Sequence, residues 1–159
     1  MTWKIKLSEP LIGIQIDRAR ELCGLILKSI QDFQDEIYYL DSNQLFKTEY
    51  VDQLLAIANN LDELNHLIIG LIHPKDIYHD SLRTALAAIN STPNALIITA
   101  HYLNPQIVYK RLINRNTFGR ELSLIVKKVE FTKQILDRVS SGRVSSRNIP
   151  RPVLNFRSR

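Results

Sequence analysis

The chain has 159 residues, of which 45% are hydrophobic and 23% charged, and its formal net charge is +5. This length predicts one domain with room for a hydrophobic core, and the composition is that of an ordinary globular protein. The longest apolar run, LIIGLI at 67–72, is too short to span a membrane, and the first residues lack the features of a secretory signal. The single cysteine, Cys23, excludes an internal disulfide and favours a reducing compartment, so we expect a cytoplasmic protein.

The charges are divided unevenly along the chain. Residues 1–80 contain 7 Lys or Arg and 13 Asp or Glu, a balance of −6, whereas residues 81–159 contain 14 and 3, a balance of +11. Such an asymmetry indicates that the basic half meets an anionic partner, such as nucleic acid, or the acidic half of another copy. The alternative is that folding mixes the two halves on one solvated surface.

The first half of the chain predicts an extended arm followed by two long helices. Residues 1–13 form the arm, because apolar and polar side chains alternate in MTWKIKLS. Apolar residues then recur every three or four positions, which is typical of a helix with one buried face. The first series comprises Ile16, Ala19, Cys23, Ile26, Ile30, Phe33, Ile37 and Leu40, and the second comprises Tyr50, Leu54, Ile57, Leu61, Leu64 and Ile68. A polar break at 41–43 separates them, so we predict an antiparallel hairpin, with Gly70 ending its second helix.

The second half predicts shorter helices and a basic tail. Pro74, Pro93 and Pro105 each introduce a helix, and a last helix at about 118–141 ends at Gly142. The expected fold class is all-α: a helical bundle built on the long antiparallel hairpin, with shorter C-terminal helices. Residues 1–141 form a single helical domain. Residues 142–159 contain five Arg and no acid, and we expect this tail to become ordered on a partner.

The last predicted helix has two chemically different faces. The apolar face is predicted to pack on the bundle and contains Leu122, Ile125, Val126, Val129, Thr132, Leu136 and Val139. Arg120, Lys127 and Arg138 lie on the opposite side, with Phe131 among them. Cations neutralise phosphates and an aromatic ring can stack on an unpaired base. The alternative is a solvated face on which Phe131 is buried against a loop or the tail.

These patterns predict a non-enzymatic structural subunit that binds the backbone of single-stranded DNA or RNA within a larger ribonucleoprotein assembly. The predicted nucleic-acid-binding residues are Lys110, Arg111, Arg115, Arg120, Lys127, Lys128, Arg138, Arg143, Arg147 and Arg151. The expected partners also include other protein subunits, among them copies of the same chain placed head to tail, and no membrane. The alternative function is that of a helical adaptor that binds only protein.

No pattern predicts catalysis, a cofactor or a metal site. The four histidines are widely spaced, and glycine-rich phosphate loops and the GxSxG pattern are absent. HDSLRTALAAI at 79–89 resembles the phosphoacceptor box of sensor histidine kinases, which implies a third function, a phosphotransfer module that uses His79. When the two are aligned on 82–84, however, the acceptor position falls on Asp80, and Ala85 stands where the family has proline.

The stretch NRNTFGRELSLIVKKVEF at 114–131 belongs to a small, basic and helical chain without catalytic motifs. In these properties the chain resembles the small helical subunits of CRISPR RNA-guided effector complexes. The resemblance implies a filament-forming subunit stacked beside the guide RNA or the displaced DNA strand.

Overall fold

The computed structural model describes residues 9–106 and 115–148, and within these ranges the chain forms α-helices and no strand. The α-helices run Glu9–Ile37 (α1), Thr48–Leu71 (α2), His79–Ile89 (α3), Thr92–Tyr102 (α4) and Arg115–Asn148 (α5). A short 3-10 helix, Ser42–Leu45, lies between α1 and α2. The predicted all-α class is confirmed.

The core contains buried side chains from all five α-helices. α1 packs against α2 and α5, α3 packs against the same two helices, and α4 packs against α2. The predicted apolar series of α1 and α2 are buried, apart from the half-buried Leu40. Each fully buried Ile, Leu or Phe side chain stabilises the fold by about 1.5–3 kcal/mol through removal of apolar surface from water. The regular spacing of these residues therefore accounts for the assembly of the bundle.

Phe33 joins the three long helices at one point. Its ring makes edge-to-face contacts with Tyr50 of α2, at a centroid distance of 5.7 Å, and with Phe118 of α5, at 6.0 Å. Because α1 contacts α5 as well as α2, the core is shared among three helices and is not confined to one pair. The long antiparallel hairpin stays a prediction.

Several helix boundaries differ from the predicted ones. α1 begins at Glu9, so residues 9–13 are helical and only residues 1–8 of the predicted arm lie outside the described part. Gly70 does not end α2, which continues to Leu71 and closes with a hydrogen bond from the Ile72 N–H to the Ile69 carbonyl. The helix predicted after Pro105 falls largely on residues 107–114, which lie outside the described residues.

Side-chain hydrogen bonding explains the late start of α3. The Asp76 carboxylate accepts a hydrogen bond from the Tyr78 N–H at 2.8 Å, which favours a turn over a helix before His79. Pro74 therefore lies in a turn and not in the first turn of α3. Pro93, by contrast, lies in the first turn of α4, as predicted.

The end of α5 is the largest departure from prediction, because the helix continues past Gly142 to Asn148. Gly142 packs closely against Tyr78: a methyl group there would overlap the phenolic oxygen and lie 2.8 Å from the ring carbon that bears it. An alanine at 142 would require the Tyr78 side chain to shift, so this close packing favours glycine inside α5 despite its low helix propensity, about 1 kcal/mol. The predicted tail is thus helical from 142 to 148, and residues 149–159 lie outside the described part.

Candidate nucleic-acid interface

One side of α5 carries a continuous line of exposed residues, here named the outer stripe. The outer stripe consists of Arg120, Leu124, Lys127, Phe131, Gln134 and Arg138. At about 100° per residue, all six lie within about 40° of a common line along the helix. The stripe extends over about 27 Å, at 1.5 Å of rise per residue. It contains three cations and no carboxylate.

The opposite side of α5 explains why this stripe faces outward. The predicted apolar face is buried throughout, except for the half-buried Val126. Thr132 is also buried there, and its hydroxyl donates a hydrogen bond to the Lys128 carbonyl at 2.9 Å. The other residues of this face are aliphatic, and the Thr132 hydroxyl is hydrogen-bonded, so the whole face can be buried. Its burial fixes the rotation of α5 on the bundle.

The three cations of the outer stripe remain available to a partner. Among the described residues, no carboxylate forms an ion pair with Arg120, Lys127 or Arg138. Glu121 and Glu130 are also exposed on α5, but they lie about 80–100° around the helix from the centre of the stripe. The local field along the stripe is therefore positive and suits an anionic ligand.

Phe131 is the most exposed phenylalanine in the described part of the chain, at 38% of its full surface. Phe118, on the same helix, is only 1% exposed and contacts Phe33. Phe131 is therefore not fully buried, and residues 149–159 of the predicted tail lie outside the described residues. Its ring lies between Lys127 and Arg138 and is open to solvent.

The other predicted binding residues lie outside the outer stripe or outside the described residues. Lys128 is half-buried on the flank of the outer stripe. Arg115 lies in the first turn of α5 and Arg147 in the last. Lys110, Arg111 and Arg151 lie outside the described residues.

Arg143 has a different role from the predicted contact with phosphate. It forms an ion pair with Asp76, and its side chain is only 14% exposed. Its guanidinium also lies over the Tyr78 ring, 5.6 Å from the centroid. Local spacing could not indicate this contact, because Asp76 lies 67 positions away. Arg143 connects the α2–α3 loop to α5 and does not belong to the outer stripe.

A polar network between α1 and α5 was also missed by sequence reasoning. Arg20 of α1 donates hydrogen bonds to the Asp137 carboxylate at 2.8 Å and to the Ser140 hydroxyl at 3.2 Å. Lys133 donates to the other Asp137 oxygen at 3.2 Å. Desolvation raises the pKa of Asp137, but the hydrogen bonds from Arg20 and Lys133 together outweigh it, so this pKa lies below its ordinary value. The hydrogen bond to Asp137 in turn raises the pKa of Arg20.

Cys23 lies in the core beside this network. Burial raises the pKa of its thiol to about 12, and the nearby Lys133 lowers it only in part. The thiol therefore stays protonated at neutral pH and is a poor nucleophile. Cys23 acts as a small apolar core residue.

The histidines and the possible metal ligands are the remaining candidates for a functional site. Among the described residues, no group of three or more His, Cys, Asp or Glu could hold a metal ion. His79 is the first residue of α3, with its Nδ1 at 3.2 Å from an Asp80 carboxylate oxygen. No described helix combines the length and apolar character needed to cross a membrane.

Comparison with models of known protein families, with curated proteins and with solved structures finds no match for the chain. The resemblance to small CRISPR subunits therefore stays a prediction.

Proposed function

We propose that the protein is a non-enzymatic subunit that binds the phosphate backbone of nucleic acid through the outer stripe of α5. The observation that carries this proposal is the line of three exposed cations that pair with no described carboxylate. Such cations release counterions when they neutralise phosphates, which is the main source of affinity in sequence-independent binding.

The spacing of the cations favours a polymer over a small anion. Arg120 and Lys127 are about 10 Å apart along the helix axis, and Lys127 and Arg138 about 16 Å apart. One phosphate ion would contact only one of these side chains. A polyanion with closely spaced phosphates contacts all three at once, as on duplex DNA, which carries one charge per about 1.7 Å.

Two other surfaces support a place in a larger assembly that contains protein subunits. α2 contains four Asp or Glu and no Lys or Arg. Glu49 and Glu63 pair with Lys47 and Arg18, and the exposed Asp52 and Asp62 suit the basic surface of another subunit, such as a copy of the same chain. α4 packs mainly against α2 and leaves Ile97, Ile98 and Tyr102 exposed. Exposed apolar side chains that lie close together often form a protein–protein contact surface.

The exposed side chains of α4 also favour a second candidate function, that of a helical adaptor that binds only protein. The two functions are separated by whether nucleic acid binds. The adaptor function becomes the better account if the purified protein binds no oligonucleotide at low salt.

The direct test is fluorescence anisotropy with a labelled oligonucleotide, titrated at several salt concentrations. If three phosphates are neutralised, the slope of log K against log salt is about −2 for a single strand. Affinity then falls about 20-fold between about 50 and 200 mM salt. Absence of binding at the lowest salt would overturn the proposal.

A triple variant locates the contact surface. Arg120→Gln, Lys127→Gln and Arg138→Gln together should abolish most of the salt dependence, because each neutralised phosphate contributes about −0.7 to the slope. The matched control is Lys28→Gln, Lys47→Gln and Lys75→Gln, which removes the same formal charge from exposed sites outside the outer stripe. Equal losses in the two variants would show that net charge, and not the outer stripe, drives binding.

A further inference from the structure

We infer that the outer stripe prefers single-stranded over double-stranded nucleic acid, because Phe131 stacks on an unpaired base while the neighbouring cations hold the flanking phosphates. This inference rests on the proposed function. It adds the class of nucleic acid and a residue that discriminates between the classes.

The position of Phe131 within the stripe supports stacking. Lys127 lies one helical turn before it, about 6 Å along the axis, and Arg138 lies about 10 Å after it. No ring contact joins Phe131 to another aromatic side chain in the described part of the chain. A solvent-exposed aromatic ring with cations on both sides is the combination that single-strand-binding surfaces use, since every base has a face for stacking.

A duplex cannot use the ring in the same way. Its bases are already stacked and paired, so only phosphates and groove edges remain for the stripe. Stacking one base on an aromatic side chain strengthens binding by about 5-fold to 150-fold. The preference for single strands should therefore depend on Phe131, whereas the salt dependence should depend on the cations.

The stripe is poorly suited to the other extended anionic surface, a lipid bilayer. Membrane-surface helices insert a broad apolar face into the headgroup region. The broad apolar face of α5 is buried in the bundle, and only Leu124 and Phe131 are apolar on the exposed side. Charge complementarity and this small apolar area together favour nucleic acid.

The test compares the original protein with Phe131→Leu, Phe131→Trp and Leu25→Ala. Phe131→Leu keeps an apolar side chain but removes the π face, and Leu25→Ala is the control at an exposed leucine of α1, outside the outer stripe. The ligands are a labelled oligothymidylate of about 20 nucleotides, longer than the usual site of 4–16, and its duplex with oligoadenylate. Thermal unfolding of each variant checks that the fold is unchanged.

The protein should bind the single strand at least about fivefold more tightly than the duplex. Phe131→Leu should lower single-strand affinity about tenfold and duplex affinity less than about twofold, and Phe131→Trp should retain the preference. Leu25→Ala should leave both affinities within about twofold.

The possible failures are distinguishable. If single strand and duplex bind equally, or if Phe131→Leu leaves the preference intact, stacking is refuted although the salt-dependent binding of the proposed function stands. If neither oligonucleotide binds, both the inference and the proposed function are refuted. Binding to vesicles of anionic lipid, without binding to either oligonucleotide, has the same consequence and identifies a membrane surface.

Discussion

The two sides of α5 carry similar charged residues in different settings. On the side that faces α1, Lys133 and Asp137 join Arg20 in a network of hydrogen bonds. On the outer stripe, Arg120, Lys127 and Arg138 form no ion pair with a described carboxylate. The inner charges therefore act within the fold, whereas the outer charges form no ion pair with a described carboxylate and are available to a ligand.

The charged and the apolar side chains of the inner side also differ in how much they stabilise the fold. Asp137 and Arg20 are each 39% exposed, so solvent screens their interaction and it stabilises the fold by only about 0.5–1 kcal/mol. The apolar contacts of the inner side are worth more, at about 1.5–3 kcal/mol for each fully buried side chain. Substitutions on the inner side should therefore change stability, and substitutions on the outer stripe should change binding alone.

The largest expected effect comes from the buried leucine of the inner side. Leu136→Ala should lower the free energy of unfolding by about 2–5 kcal/mol, because it leaves a cavity in the core. Leu124→Ala, at an exposed position of the same helix, is the control and should change it by no more than about 0.5 kcal/mol. Urea denaturation measures both. Similar losses in the two variants would contradict the division of α5 into an inner and an outer side.

The next effect concerns the packing of α5 on the α2–α3 loop. Gly142→Ala should destabilise the protein by about 1–3 kcal/mol, because the new methyl group overlaps Tyr78. The matched control is Gly119→Ala, where a methyl group has nothing within 4 Å and should stabilise the helix by up to about 1 kcal/mol. If both substitutions stabilise, the contact with Tyr78 does not constrain position 142.

A smaller effect is expected at the inner network, and it depends on pH. The pKa of Asp137 is lowered in the folded state, so its contribution is present above the unfolded-state pKa and is lost as pH falls through the folded-state pKa. Asp137→Asn should therefore cost about 0.5–1 kcal/mol at neutral pH, and the difference from the original protein should shrink in acid. Chemical denaturation at several pH values measures this, with the exposed Glu130→Gln as control. A pH-independent difference would show that the charge of Asp137 is not what matters.

The smallest effect on stability is expected at the centre of the outer stripe. Lys127→Gln should leave the midpoint of thermal unfolding unchanged, because the side chain is exposed and pairs with no described carboxylate. The same substitution should make the salt slope of oligonucleotide binding less steep by about 0.7. A fall in the unfolding midpoint would mean that Lys127 serves the fold.

Sequence periodicity was sufficient to identify the buried faces of α1, α2 and α5 and the cations of the outer stripe. Burial repeats with the helical period, so residues such as Ile26, Leu61 and Val129 and the exposed Lys127 could all be assigned from local pattern. Each assignment needed only the neighbours within a few turns.

Contacts between distant segments could not be identified in this way. Arg143 meets Asp76 across 67 positions, and Arg20 meets Asp137 across 117. Such pairs depend on the relative placement of whole helices, which local spacing does not contain. For the same reason local pattern predicts a helix end at Gly142. In the structure this residue packs against Tyr78 and lies within α5.

We propose that the outer stripe of α5 is a nucleic-acid-binding surface separate from the structural charges of the bundle. The salt slope of oligonucleotide binding, measured for the original protein and for the triple variant Arg120→Gln, Lys127→Gln and Arg138→Gln, tests this proposal. We expect a slope of about −2 or steeper for the original protein and a slope smaller in magnitude by about 2 for the variant, with unchanged thermal unfolding. An unchanged slope in a folded triple variant would refute the proposal.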